Sequence, residues 1–271
     1  MELTAETFSA LDENMDFRQL ANTRANLGNR VGLMPGATFS CEGIFVRNTF
    51  EIDHLRCMCV LPSGWIAHVN ERVVIPVPML YSGEYYLTVT IGADQIEYEK
   101  EMVTMVRPAY EYAIVPLDKI VEENALPIVR FKVKDGSISI DNDYIPPCLI
   151  LESDLRYAEI ISSILEKLET YKVHPNLEPA SKAQLTYQIS TLRNLSLLNP
   201  VYSLISILSY VVLFFDFYVV NTGLHDAVQI PTWDQNDTEH WLRWFNEYLA
   251  VVGEALDRYK PKEDKIDLDK L

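Results

Sequence analysis

The stretch Asp141-Asn142-Asp143-Tyr144-Ile145-Pro146-Pro147-Cys148-Leu149 divides this chain into two kinds of sequence. Two consecutive prolines lack amide donors and hold φ fixed, so neither fits inside a sheet or a helix. Pro146 also drives Ile145 into an extended conformation. The preceding Asp-Asn-Asp favours a turn, because short polar side chains bond their own backbone. A flexible linker would be rich in Gly and Ser. This stretch instead reads as a semi-rigid structural joint, carried by Asp143, Tyr144, Ile145, Pro146 and Pro147, with Tyr144 and Ile145 supplying apolar bulk to pin it against one half.

Upstream, nearly everything reads as β. Residues 1–36 form an N-terminal arm in which Phe8, Leu11 and Met15 have weak helical spacing over 4–20, a short helix or a segment that orders on a partner. Gly32-Leu33-Met34-Pro35-Gly36 is punctuation. Residues 37–150 carry strand signals. Phe50 and Ile52 alternate with polar neighbours, and then Leu55, Cys57 and Cys59 continue with the opposite parity. That one-residue slip predicts a bulge near Asp53-His54, or a strand buried on both faces. Leu61-Pro62-Ser63-Gly64 predicts a hairpin turn. Residues 73–76 read as a short run that Pro76 and Pro78 demote to an edge. Residues 85–91 and 128–134 alternate cleanly, and Asp135-Gly136 predicts a turn into 137–140. Short strands with frequent turns and no intervening helix imply an antiparallel β sandwich or shell domain.

Downstream, residues 151–259 read as four helices. The first starts at the N-cap candidate Ser153 with an apolar stripe of Leu155, Ala158, Ile161, Leu165 and Leu168. The second follows Pro179 and carries Leu185, Ile189, Leu192 and Leu195. The third is the apolar run 201–220, ended by Asn221-Thr222-Gly223. The fourth starts near Asp234 or Asp237 and presents Trp241, Trp244, Phe245, Tyr248 and Val252. No residue from 194 to 215 is charged, and a run of this length matches a bilayer span. Pro200, Asp216 and three serines favour the central helix of a bundle, apolar all round because it is surrounded. The whole is an α+β multidomain chain: arm, β shell domain, antiparallel four-helix bundle, and a charged tail over 260–271.

Chemistry is nearly silent. The 23 basic and 39 acidic residues leave a net charge of -16, which opposes binding to nucleic acid or an anionic membrane by bulk charge. The acidic opening of the chain does not read as a secretory signal, so the four cysteines are expected to be free thiols in a cytosolic protein. Cys57 and Cys59, with Cys41, His54 and His68 nearby, lack the C-x2-4-C spacing of a zinc site and read as core. No nucleophile elbow accompanies His225 and His240, and the nearby acids Asp226, Asp234 and Asp237 read as helix capping. No Gly-rich phosphate loop occurs. We therefore expect no enzyme activity, cofactor or metal. Trp241 and Trp244 read as bundle core, or as interface if partly exposed.

Four pieces of the sequence resemble the TssK family of type VI secretion baseplate subunits, in the shortened, Bacteroidetes-type form. They are Leu3-Thr4-Ala5-Glu6-Thr7-Phe8, with Thr7 where the family usually has His; Gly32-Leu33-Met34-Pro35-Gly36; the strand–turn–strand from Arg56 through Cys57, Cys59 and Pro62-Ser63-Gly64 to Ile66; and Pro127-Ile128-Val129-Arg130 followed by Asp143-Tyr144-Ile145-Pro146-Pro147-Cys148-Leu149. The last is the most specific, since order and spacing both match. The resemblance covers roughly residues 1–255. It implies a shell domain like those of phage receptor-binding proteins, a helical bundle, a homotrimer, and docking of the N-terminal part, Phe8 included, on TssF/TssG-like wedge proteins. It implies a cytoplasmic baseplate near the inner membrane. Family members usually continue into a C-terminal domain that contacts the membrane complex; this sequence stops after the bundle, so contact with membrane-complex proteins would fall to another surface. A phage-like tail, baseplate or receptor-binding-type structural protein is the alternative.

Overall fold

The structure, a computed structural model, describes residues 5–28, 30–35, 43–46, 49–76, 81–100, 103–119, 124–134, 137–224 and 229–260. Two compact units emerge: Met1–Ser153 with Gln235–Asp237, and Asp154–Asp234 with Thr238–Leu271. The fold class is α+β; the described residues form two four-stranded antiparallel sheets and five α-helices.

The first unit opens with helix α1, Ala5–Leu27, longer than the arm's spacing suggested. Its last turns lie against the turn at Leu61–Gly64: Arg24 Nη2 donates to the Ser63 carbonyl at 3.4 Å. The first sheet is built on β3, Thr49–Val60. One side of β3 pairs with β1 (Gly32–Leu33) at its end and β2 (Gly43–Val46) at its start, and the other side with β4 (Ile66–Pro76) along its length. The register slips between Ile52 and Leu55, where the parity of apolar residues changes. That slip lets Phe50, Ile52, Leu55, Cys57 and Cys59 all be buried. The turn at Leu61–Gly64 closes with Leu61 N–H donating to the Trp65 carbonyl at 2.9 Å, and Gly64 takes φ +88°. Residues 73–76, expected as a separate run, are instead the end of β4, where Pro76 pairs with Thr49 on an edge strand.

The second sheet has the order β6 (Val103–Pro116), β5 (Gly83–Lys100), β7 (Leu126–Lys134), β8 (Ser137–Ile140). Sequence alternation reveals only the first half of β5 and misses β6. Gly92, Asp94, Glu97 and Pro108 are poor strand formers, and pairing along the hairpin rather than propensity holds these segments extended. The turn expected at Asp135-Gly136 lies outside the described residues. Phe131 joins the two sheets: its ring stacks on Phe50 of β3 at 5.2 Å and on Tyr85 of β5 at 5.7 Å.

A polar cluster also ties the sheets together. Glu71 of β4 accepts from Arg107 Nη2 at 2.6 Å and from Tyr112 OH at 2.7 Å, both on β6. Tyr110 OH accepts from the His68 amide at 2.9 Å. Burial and the Glu71 carboxylate push the Tyr112 phenol well above its usual range, so it remains a donor at any ordinary pH. Tyr112→Phe should cost about 1–2 kcal/mol, the worth of a half-exposed hydrogen bond to a charged acceptor, read as a lower urea midpoint at unchanged slope.

The second unit contains α2 (Arg156–Lys172), α3 (Pro179–Arg193), α4 (Val201–Asn221) and α5 (Thr238–Arg258). Neighbours in space are α2 with α3, α3 with α4, α4 with α5, and α5 with α2, a closed ring of four. Ser153 does not cap α2. It ends a 3-10 turn over Leu151–Ser153, and Asp154 Oδ1 accepts from the Arg156 amide at 3.0 Å. Leu155, expected in the apolar stripe, is exposed; Tyr157, Ile161, Ile164 and Leu168 face the core. Pro179 opens α3. Gly223, at φ +73°, closes α4, with the Leu224 amide reaching back to the Val219 carbonyl at 3.0 Å. Tyr248 OH of α5 donates to the Val212 carbonyl of α4 at 3.1 Å, and Asn176 Nδ2 to the Leu256 carbonyl at 2.9 Å.

The expectation for α4 needs the largest correction. It is long and apolar enough to span a bilayer by length and composition, yet only half of it is buried. Four helices in a ring give each one two neighbours and an outward face. On α4 that face is Tyr202, Tyr210, Leu213, Phe217 and Val220, with Asp216 among them, all exposed.

Candidate functional site at the double proline

Residues 141–149 belong to the first unit and are held there closely. The turn forms as its composition requires: Asp141 Oδ1 accepts from the Asp143 amide at 3.1 Å, and the Asp141 carbonyl from the Tyr144 amide at 3.3 Å. Tyr144, Ile145, Pro146 and Pro147 are all buried, whereas Asp143 is exposed. The Tyr144 hydroxyl reaches the Pro127 carbonyl at 3.5 Å, and its ring meets Tyr86 at 5.4 Å. Burial pushes this phenol well above its usual range.

The prolines bring no amide donors, and β1 supplies one to the Pro147 carbonyl. Leu33 N–H donates to the Pro147 carbonyl at 2.7 Å, and Leu149 N–H to the Leu33 carbonyl at 2.9 Å, a short parallel bridge between Leu33 and Cys148. Gly32 makes this approach possible. A Cβ there would lie 2.5 Å from the Pro147 oxygen, and its φ of +131° disfavours any L side chain. Two motifs more than a hundred residues apart in sequence are thus one backbone junction.

Arg130 and Asp141 complete it. Asp141 Oδ2 accepts from Arg130 Nε at 2.9 Å with both side chains 10% exposed, and the guanidinium lies over the Tyr144 ring at 5.0 Å. The Asp141 amide donates to the Arg130 carbonyl at 2.9 Å. Burial works to raise the Asp141 pKa, but the charge and hydrogen bond of Arg130, the Asp143 amide and Lys132 outweigh it, so the carboxyl sits below its usual value. Reading the sequence singled out Asp143; the acid that does the pairing is Asp141. An arginine amid Ile128, Val129 and Phe131 was the available signal, since a buried guanidinium needs a carboxylate.

The other candidate residues scatter. Phe8 lies in α1, and its side chain is outside the described set. Trp241 is 3% exposed and stacks on Phe245 at 5.6 Å; Trp244 is half-buried against Tyr248 at 5.5 Å. Cys57, Cys59 and Cys148 are buried free thiols, while His54 and His68 are exposed and Cys41 lies outside the described residues. His225 and Asp226 lie outside them too, and His240 is exposed in the first turn of α5. Among the described residues, no three His, Cys, Asp or Glu side chains converge to hold a metal ion. What the chain does present is surface: the apolar α4 face.

No family model matches the sequence, and no curated protein sequence does. Solved structures do. A chain of the TssK-TssF-TssG baseplate subcomplex of a type VI secretion system matches with a TM-score of 0.63 at 12% identity, over 95% of this chain and 96% of that one. The fold is that of TssK. A crystal structure of TssK matches with a TM-score of 0.61 at 11% identity, over 94% of this chain and 70% of that one. TssK from the EAEC system, in complex with a nanobody, matches with a TM-score of 0.63 at 13% identity, over 93% and 69%. The TssK likeness thus extends over both units.

Proposed function

We propose that this chain is a non-catalytic structural subunit of a type VI secretion baseplate, acting in the cytoplasm as a homotrimer docked on TssF/TssG-like wedge proteins. The observation that carries the reading is the match over 95% of the chain to a component of the TssK-TssF-TssG subcomplex. In this reading the arm (1–36, with Phe8) and shell (37–150) face the wedge, and the helices (151–259) hold the copies together. The joint at Asp143, Tyr144, Ile145, Pro146 and Pro147 is structural. Trp244 contributes to an interface, whereas Trp241 has almost no surface to offer. Membrane-complex proteins are further partners in this reading.

The α4 face supports self-assembly. Tyr210, Leu213, Phe217 and Val220 recur in steps of three, four and three, the spacing of a coiled-coil seam. All four are exposed, Leu213 at 65%. An apolar stripe of this length is costly to leave in water.

The deciding experiment is the mass of the purified protein, alone and with candidate wedge proteins. Three times the 31.1 kDa chain mass is expected, with a larger species on adding the wedge. Leu213→Lys with Phe217→Glu should shift the lone protein to monomer while leaving its helicity intact. A stable monomer at micromolar concentration, with no wedge bound, would sink the reading.

A further inference from the structure

Strand β5 is longer than the sheet that holds it. β7 pairs with it from Gly83 to Val89, but over Gln95–Lys100 its registered partner among the described residues is β6 alone, through Val103–Pro108. The register breaks between Ile91 and Gln95. Gly92 sits at that break, where a Cβ would lie 2.7 Å from Glu111 Oε1. Beyond it the hairpin continues as a two-stranded ribbon. Ala93, Asp94, Gln95, Ile96 and Glu97 are all exposed. Successive strand residues point to opposite faces, so β5 turns side chains to solvent on both faces here. A bare two-stranded ribbon is marginally stable, and an unpaired strand edge is a template for another strand.

The two edges are not equivalent. The outer side of β6 is turned towards β4, which it meets through Arg107–Glu71 and Tyr110–His68. The edge of β5 has no registered partner among the described residues. Its chemistry is one-sided: residues 84–99 contain no Lys or Arg, and Asp94 and Glu97 stand exposed on either side of Ile96.

We propose that the β5 edge over residues 92–97 docks an extended basic segment of another protein, added as a further strand. Backbone pairing supplies the affinity, basic residues meet Asp94 and Glu97, and an apolar residue covers Ile96. This goes beyond the trimer reading and needs neither the α4 contact nor a wedge protein.

The test uses the full chain and a short synthetic Lys-Val-Val-Lys peptide, whose lysines three apart fall on opposite faces as Asp94 and Glu97 do, followed by fluorescence anisotropy and amide hydrogen exchange. The peptide should bind and slow exchange at residues 92–97. A Glu-Val peptide should not bind. Methylating alternate peptide nitrogens removes the donors that pair with the edge and should weaken binding at least about tenfold. Asp94→Lys with Glu97→Lys should weaken it as much, with unfolding midpoint and assembly mass unchanged because both residues are exposed. Equal binding of the methylated peptide would reduce the effect to charge attraction and overturn strand addition. Protection elsewhere, or no binding of the Lys-Val peptide, would also overturn the proposal and show the acids to be guards against edge pairing.

Discussion

Replacing Gly32 by alanine is expected to destabilise the β unit by about 4 kcal/mol, a fall of roughly 10 °C in its unfolding midpoint. Two effects add. The new Cβ would lie 2.5 Å from the Pro147 oxygen, 2.6 Å from its carbonyl carbon and 2.7 Å from the Cys148 nitrogen. All three are backbone atoms, which cannot swing aside as a side chain would. The φ of +131° adds strain for any L residue. Relief requires β1 to move away from the prolines, breaking the bonds from Leu33 N–H to Pro147 and from Leu149 N–H to Leu33. Gly28→Ala is the control: its φ is +62°, but a Cβ there meets nothing within 4 Å, so the cost should be about 1 kcal/mol. Calorimetry on both variants separates steric exclusion from backbone preference; equal shifts would refute the junction's role.

Arg130→Met should cost about 3–5 kcal/mol, because it leaves the Asp141 carboxylate buried without its main partner. Lys132 Nζ, at 3.9 Å, is half-exposed and a weak substitute. Replacing both members, Arg130→Met with Asp141→Leu, should recover much of the loss, since an apolar pair owes no desolvation. Failure of the double variant to recover would mean the pair fixes the turn geometry beyond its charges. The pair also makes stability depend on pH. Asp141 is depressed in the folded state, so the unfolded chain takes up its proton first as pH falls. The contribution is complete above the ordinary Asp value of about 3.9 and is lost as pH drops through that value towards the folded one. Urea midpoints between about pH 6 and 3 should fall in the wild type, and Asp141→Asn should flatten that part of the curve.

Much of this architecture was legible beforehand because it rests on local spacing. The parity change after Ile52 marked either a bulge or a strand buried on both faces, and the register slip between Ile52 and Leu55 decides for the bulge. Pro179 and Gly223 marked helix ends through φ alone. The Asp-Asn-Asp turn and the two prolines announced where β gives way to helix. Conversely, β6 escaped notice because Pro108 and its charged neighbours hide a strand that hairpin pairing imposes. Leu155 looked like core by spacing alone, but the helix it precedes turns a different face inward.

The amino-acid sequence by itself determined the two kinds of element, their order and the break between them, because propensity, periodicity and proline sterics act within a few residues. Only the tertiary structure decided that Gly32 closes on Pro147, that Asp141 rather than Asp143 answers Arg130, and that α4 keeps an apolar face in solvent. Those outcomes depend on which distant backbones come within hydrogen-bond reach and on how many neighbours a helix has around it. Spacing along one segment carries no record of either.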